Sequence, residues 1–131
     1  MPFAYDLVSP ERMLASGEAD SVQIPGAEGD LTAMPNHAPF LTTLRPGVIS
    51  VRSGSDSTDY VVTGGFAEIS AESASVLAEE AVTTDEATDD WFAAKIAAAE
   101  AALEIAVGEE AKIIAAQRIN DFRFLQSRMT A

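Results

Sequence analysis

The sequence predicts an N-terminal β-sandwich, or a flattened barrel, followed by a C-terminal antiparallel helical hairpin. Short runs of alternating apolar and polar residues recur through residues 1–86, and turns rich in Pro and Gly separate them. No proline follows Pro46, and apolar residues recur at helical spacing in residues 87–131. The chain is therefore expected to consist of a β domain of about eight to ten short strands and a two-helix arm.

The first three strands are indicated by alternation and by the turn residues that follow them. Residues 3–8 and 21–24 alternate apolar and polar side chains, and residues 12–15 form a short strand-like run between them. We expect Gly17 to end the second strand and Pro25-Gly26 to end the third, because Pro and Gly favour turns.

The stretch from Pro25 to Gly47 is the most restrained part of the sequence. It holds four of the six prolines, three of the eight glycines and the only histidine. Proline fixes φ and glycine frees it, so a stretch this rich in both must turn repeatedly. We expect two or three short strands here, with corners at Gly29-Asp30, Pro35-Asn36 and Pro46-Gly47.

The remaining strands are predicted between this stretch and the arm. Residues 53–56 have the composition of a hairpin turn. Gly64-Gly65 lies between two strand-like runs and indicates a bulge or a close approach of two backbones. The strands themselves are expected at residues 48–52, 60–63, 66–70 and 75–78.

The arm is predicted to be two helices joined at a glycine. Thr83 and Thr88 are both candidate N-caps, and the sequence does not choose between them. Gly108 is expected to be the C-cap of the first helix. The predicted apolar stripe of the first helix consists of Phe92, Ile96, Ala99, Leu103 and Val107. The predicted stripe of the second helix consists of Ala111, Ala115, Ile119, Phe122, Leu125 or Gln126, and Met129.

The charge of the chain excludes several classes of function. A net charge of −13 repels nucleic acid and anionic lipid, so neither is expected as a partner. The chain has no cysteine, which excludes disulfides and thiolate metal sites. It has neither an apolar run of about 20 residues nor a signal-peptide pattern, so no insertion into a membrane is expected.

The charge of residues 111–131 differs from that of the rest of the chain, because this segment contains four basic residues and only one acidic residue. These four are Lys112, Arg118, Arg123 and Arg128.

No constellation of catalytic residues is evident. His37 lies between two turns with no nucleophile motif beside it, and a histidine that hydrogen-bonds the backbone is favoured over a general base. Glu28 and Asp30 flank Gly29 and form a candidate cation site, but a solvated acidic turn or a contact with a partner's cation is favoured. No catalytic, cofactor or metal site is therefore expected, and the residues favour an interaction protein.

Several motifs in register give the sequence a family resemblance. They are GEA at 17–19, PGAEGD at 25–30, MPNHAPFLTTLRPG at 34–47, GGFAEIS at 64–70 and VLAEEA at 76–81. In their order and spacing, residues 5–81 resemble the epsilon subunit of F-type ATP synthases, the counterpart of the mitochondrial delta subunit. The arm agrees with this family in type and position more than in individual residues.

The resemblance implies a ten-stranded β-sandwich with a helical hairpin, in a rotor subunit that is not an enzyme. In this family the sandwich binds the gamma subunit and the c-ring, and couples proton translocation to ATP synthesis on other chains. The resemblance thus makes Glu28, Asp30 and His37 candidate rotor contacts. It also implies a hetero-oligomer that is bound peripherally at the cytoplasmic face of a bacterial inner membrane.

The resemblance has separate implications for the arm. In bacterial relatives the arm folds against the sandwich or extends into the catalytic head and inhibits ATP hydrolysis, so its four basic residues are candidates for docking on the beta subunit. Relatives that bind ATP carry an Ile/Leu-Asp-x-x-Arg-Ala motif, and the matching residues 88–93 here read TDDWFA. Phe92 stands at the arginine position, so phosphate loses its bidentate partner and ATP binding is not expected.

Two alternatives to the rotor function are kept. In the first, the arm is the chief functional part and acts as an inhibitor of ATP hydrolysis. In the second, the chain is a small enzyme or a β-sandwich ligand-binding module, which requires a pocket with converging polar groups and a role for His37.

Overall fold

The computed structural model describes residues 3–129, which form ten strands and two helices. The strands are β1 (Phe3–Val8), β2 (Met13–Ala19), β3 (Ser21–Gly26), β4 (Gly29–Ala33), β5 (Phe40–Leu44), β6 (Gly47–Ser53), β7 (Asp56–Val62), β8 (Gly65–Ile69), β9 (Ser73–Ala78) and β10 (Ala81–Thr83). The helices are α1 (Asp89–Ile105) and α2 (Glu109–Met129). The predicted β-sandwich followed by a helical hairpin is confirmed.

The ten strands belong to one sheet that closes around a single core. The strand order is β10-β7-β6-β3-β5-β8-β9-β1-β2, and β4 pairs with β3 beside this path. Neighbouring strands are antiparallel except β1 and β9, which are parallel. Strands from both ends of this order contribute to one buried apolar cluster. The sheet therefore forms two facing layers, as a sandwich requires.

The alternation of apolar and polar residues in the sequence correctly predicts which side chains of the strands face the core. Val22 and Ile24 on β3 are buried while Gln23 between them is exposed, and Ile49 and Val51 are buried on β6. Successive side chains of a strand point to opposite faces, so every second residue enters the core. Burying each such side chain contributes about 1.5–3 kcal/mol.

The predicted close approach at Gly64-Gly65 is confirmed. Gly65 begins β8 with φ +129° and pairs with Ala78 of β9. A Cβ atom at this position would lie 2.1 Å from the carbonyl oxygen of Leu77, so no residue larger than glycine fits without moving a strand.

Two predicted strand ends are wrong. β2 continues through Gly17 to Ala19, because Gly17 pairs with Tyr5 of β1 in the ladder. β3 continues through Pro25-Gly26, because Pro25 needs no N–H there and its carbonyl accepts a hydrogen bond from the N–H of Arg45 at 3.1 Å. In both places, cross-strand pairing outweighs the local preference for a turn.

The corner predicted at Gly29-Asp30 is also wrong. Both residues belong to β4, where Asp30 pairs with Pro25 and Gly29 with Gly26. The tight turn is formed instead by Ala27 and Glu28. The hairpin turn at 53–56 and the turn at Pro35-Asn36 are confirmed.

The helical arm departs from its predicted ends. The chain divides into two compact units, one ending at Thr83 and one beginning at Thr84. Thr88 is the N-cap of α1, and its hydroxyl accepts a hydrogen bond from the N–H of Trp91 at 3.2 Å. α1 ends at Ile105, so the predicted Gly108 C-cap is wrong. Gly108 instead precedes α2, where its carbonyl accepts from the N–H of Lys112 at 3.2 Å.

The earlier end of α1 changes the predicted apolar stripes. Val107 lies beyond the helix and is 89% exposed, and Ala111 in the first turn of α2 is also exposed. The buried residues of the two helices are Phe92, Ala99, Ala115, Ile119, Phe122 and Leu125. Neither helix, over the part of the chain that the structure describes, is long and apolar enough to cross a lipid bilayer.

Candidate functional site

The turn between β3 and β4 presents the two acidic residues that the sequence singled out. Glu28 is exposed at its tip, and Asp30 is exposed at the second residue of β4. Asp30 Oδ1 lies 3.3 Å from Arg45 Nη2 and forms an ion pair. The structure thus brings Asp30 together with a basic residue that sequence reasoning did not connect with it.

Backbone hydrogen bonds hold this acidic turn in place. The N–H of Ala27 donates to the carbonyl of Thr43 at 2.8 Å, and the N–H of Arg45 donates to the carbonyl of Pro25 at 3.1 Å. Gly47 packs so closely on Pro25 that a Cβ would lie 2.5 Å from the proline Cβ. The turn is therefore attached to the end of β5 and the start of β6, and it is stiff for a surface loop.

His37 lies in a separate turn. Its N–H donates to the carbonyl of Met34 at 3.1 Å, and its Nδ1–H donates to the carbonyl of Ala38 at 2.6 Å. Asn36 adopts φ +68°, and its N–H donates to the carbonyl of Ala71 at 2.8 Å. The histidine thus interacts with the backbone.

A row of apolar side chains crosses the outer face of one layer, and sequence reasoning missed it. The register aligns Phe66 of β8 with Leu77 of β9, Leu77 with Val8 of β1, and Val8 with Met13 of β2. Phe66, Leu77 and Met13 are 55%, 57% and 61% exposed. Leu41 of β5 is 67% exposed and lies on the same face, because it pairs with Glu68, two residues from Phe66. We call Val8, Met13, Leu41, Phe66 and Leu77 the apolar row.

A shallow concavity lies along this row. Its volume is about 610 Å³, and Val8, Pro10, Phe66, Leu77 and Glu79 are among the residues that line it. His37 is not among its lining residues. An open, mainly apolar hollow of this kind suits the side chains of a protein partner better than a small polar ligand.

The four basic residues singled out in the arm have different surroundings. Arg123 Nη2 forms an ion pair with Glu100 Oε2 at 3.3 Å. The guanidinium of Arg118 lies 5.3 Å from the ring centre of Phe122, and that of Arg128 lies 5.6 Å from the ring centre of Phe124. The side chain of Lys112 is exposed. Each guanidinium thus has a neighbour within the arm.

The arm also exposes apolar residues near the connection of its helices, outside the predicted apolar stripes. Ile105, Ile113 and Ile114 are 81%, 62% and 54% exposed. At the other end of α1, Phe92 is fully buried, and Asp89 Oδ1 accepts a hydrogen bond from Gln126 Nε2 at 3.5 Å. The residue at the position of the family arginine is therefore a packing residue.

The surroundings of Tyr60 shift the pKa of its phenol. Burial raises the pKa of Tyr60 above its ordinary value of 10.0, and the charge of the nearby Tyr5 phenolate raises this pKa further. Tyr60 packs against the core of the sandwich, so its raised pKa affects the stability of the fold at high pH.

Comparison with known families and proteins identifies close relatives. The family described as "ATP synthase, Delta/Epsilon chain, beta-sandwich domain" matches residues 2–84. The ATP synthase epsilon chain of Ruegeria sp. (strain TM1040) is 66% identical over 84 residues, which are 64% of this chain and 61% of the relative. The epsilon chain of Cereibacter sphaeroides (strain ATCC 17025) is 49% identical over 123 residues, which are 94% of this chain and 92% of the relative.

Solved structures show the same fold. A chain in the mitochondrial ATP synthase of Euglena gracilis, solved as OSCP/F1/c-ring, matches with a TM-score of 0.74 at 21% identity. That match covers 98% of this chain and 81% of the other. A chain in the central stalk and c-ring of the Tetrahymena thermophila mitochondrial ATP synthase matches with a TM-score of 0.68 at 17% identity, covering 96% and 97%.

Proposed function

This chain belongs to the ATP synthase delta/epsilon chain family, and we propose that it is the central-stalk subunit that binds the gamma subunit and the c-ring. It is an accessory subunit, and the catalysis of the complex takes place on other chains. Through these contacts it couples proton translocation to ATP synthesis in a hetero-oligomer.

The apolar row is the observation that carries this proposal. An apolar surface that runs across five paired strands is unusual on a chain with a net charge of −13, and such surfaces mark protein contacts. A rotor subunit that turns together with its shaft needs a lasting interface, and lasting interfaces are the more apolar ones. We therefore assign the apolar row to the gamma subunit.

The acidic turn and the histidine turn are proposed as further rotor contacts. Glu28 and Asp30 carry negative charge on a stiff support, which suits basic loop residues of the c-ring. His37 precedes β5, the strand that contributes Leu41 to the face of the apolar row. We therefore propose that His37 contacts the rotor near this face and has no catalytic role.

The experiment that tests this function replaces two residues of the apolar row by serine. Replacing Phe66 and Leu77 together leaves the buried core of the sandwich intact, because both side chains are already more than half exposed. The variant F66S/L77S should fold but fail to co-purify with the gamma subunit after gentle detergent extraction, and coupled ATP synthesis should be lost. The matched control is I105S/V107S, which removes exposed apolar residues from the arm. Equal recovery of gamma with both variants would contradict the assignment.

The arm is proposed to inhibit ATP hydrolysis through contacts with the beta subunits. Its candidate residues are Lys112, Arg118, Arg123 and Arg128. Arg123 must break its ion pair with Glu100 before it can pair with an acidic residue of the beta subunit. Because replacing one exposed ion pair by another gains little free energy, we expect weak inhibition. Truncation after Ala87 should raise the ATPase activity of the assembled complex modestly, and unchanged activity would leave coupling as the only function.

We also propose that this subunit does not bind ATP. Phe92 is buried where a binding site needs a guanidinium, and Asp89 is hydrogen-bonded to Gln126. Titrating ATP into the isolated subunit should therefore leave the fluorescence of Trp91 unchanged. A saturable change in this fluorescence at millimolar ATP would refute the proposal.

The proposed location is the cytoplasmic face of a bacterial inner membrane, where the subunit is held by its partners. Washing inverted membrane vesicles with a buffer that removes the catalytic head should release this chain with it. Retention of the chain in vesicles stripped of all other head subunits would contradict a peripheral position.

A further inference from the structure

The apolar row crosses strands whose backbone edges are already paired. β8 pairs with β5 and β9, and β1 pairs with β9 and β2, so each strand beneath the middle of the row has a neighbour on both sides. A partner cannot add a strand there, and it meets only outward side chains. Because those side chains are apolar, they cannot hydrogen-bond a partner's backbone. The element that covers the row must therefore satisfy its own backbone hydrogen bonds, as a helix does.

The row is also narrow. Beside Phe66, Leu77 and Val8, the next outward residues along the central strands are polar. They are Glu68 on β8, Ser75 on β9 and Asp6 on β1. Two sheets that pack face to face bury several alternating residues along each strand, which this surface does not provide. A single line of apolar side chains instead suits the apolar stripe of one helix.

The spacing of the row agrees with a helix that lies across the strands. Neighbouring strands lie about 4.8 Å apart and a helix rises about 1.5 Å per residue, so about three helical residues span one strand spacing. Residues three or four apart share one face of a helix, so each strand meets one side chain of that face. From Phe66 on β8 to Met13 on β2 the row crosses β9 and β1, a distance of about 14 Å that equals about ten helical residues.

We propose that the apolar row binds one amphipathic helix of the gamma subunit, which lies across the strands and carries basic residues beside its apolar stripe. The basic residues are expected because Glu68 and Asp6 follow one side of the row on a chain with a net charge of −13. The inference rests on the proposed function, which names gamma as the partner. It adds which kind of element of gamma binds and how that element lies.

The test places a photoreactive residue at three positions of the row. p-Benzoylphenylalanine replaces Phe66, Leu77 or Met13, each more than half exposed, and mass spectrometry identifies the gamma residues that are cross-linked in the rotor complex. From Phe66 to Leu77, on adjacent strands, the labelled gamma residue should advance by about three or four. From Leu77 to Met13, two strands apart, it should advance by about seven in the same direction.

Other elements of gamma would give other steps. An extended segment across the strands would advance by about one or two residues and then by about three. A sheet or a set of loops would be labelled at segments far apart in the gamma sequence. Either result would overturn the inference, whereas a row that labels no gamma residue would refute the proposed function.

The matched control places the same photoreactive residue at Asp59 of β7, which is exposed and points outward because its partner Ser50 lies between the buried Ile49 and Val51. It should leave the gamma segment that the row labels unlabelled. Labelling of that segment from Asp59 would show that cross-linking does not report the position of the helix, and the assignment would fail.

A second measurement tests the basic residues of the helix. E68K should weaken the binding of gamma roughly fivefold at low salt, because one exposed attraction becomes a repulsion. Replacing the nearest basic residue of the labelled gamma segment by glutamate should restore the affinity of E68K. D59K changes the net charge of the chain equally and should leave the affinity unchanged. Equal affinities of E68K and D59K for gamma would refute the basic residues beside the stripe.

Discussion

Replacing Gly65 by alanine tests the packing of the sandwich at its tightest point. The added Cβ would lie 2.1 Å from the carbonyl oxygen of Leu77, 2.9 Å from the Cα of Ala78 and 3.1 Å from the backbone nitrogen of Glu79. All three are backbone atoms of the β9 region, so no side chain can rotate away. The strands β8 and β9 must therefore separate locally, beneath the apolar row.

The cost of this change has two parts. Alanine at φ +129° occupies a backbone region that is strained by about 1–3 kcal/mol. Relieving the overlap with β9 adds about 1–3 kcal/mol, as for other overpacked sites. We expect G65A to lower the free energy of unfolding by about 4 kcal/mol, a large part of the roughly 5–15 kcal/mol that holds a domain folded.

The assay is urea unfolding of the chain, followed by far-UV circular dichroism. With a slope of about 2 kcal/mol per molar urea, the midpoint should fall by about 2 M. The matched control is G54A, at a glycine with φ +60° and nothing within 4 Å of an added Cβ. G54A should cost only about 1 kcal/mol, the price of a left-handed alanine. Equal midpoints for the two variants would refute the close approach as the dominant cause.

The other predictions concern the arm and the response to pH. F92A should destabilise the arm by about 3–5 kcal/mol because Phe92 is fully buried, while F124A, at a residue 61% exposed, should cost far less, as thermal unfolding would show. T88A should cost about 1 kcal/mol of arm stability through the lost N-cap, measured in the same way. Because the pKa of Tyr60 is raised above 10.0, the folded state holds this proton more tightly than the unfolded state. Its contribution is present below pH 10 and is lost as the pH rises past the folded pKa, so Y60F should flatten the alkaline fall in stability, measured by urea unfolding from about pH 9 to 11.

Local patterns predicted much of the fold because they depend on near neighbours. Alternation placed Val22 and Ile24 in the core, and the turn residues marked the hairpin after Ser53. Phe92 and Phe122 were placed on buried helix faces by their spacing. The predicted ends of β2 and β3 were wrong, since pairing with strands distant in sequence extended both strands beyond Gly17 and Pro25.

The sequence by itself determined the class of the fold, the inner faces of its strands and helices, and the absence of a catalytic motif, all of which depend on the type and spacing of nearby residues. Only the tertiary structure decided which outward side chains meet. The apolar row exists because β5, β8, β9, β1 and β2 lie side by side, although β1 and β9 are far apart in the chain. The pairing of Asp30 with Arg45 likewise depends on the end of β5 meeting β3. Such contacts form only when burial of the core fixes the register of the paired strands, and local sequence patterns do not specify that register.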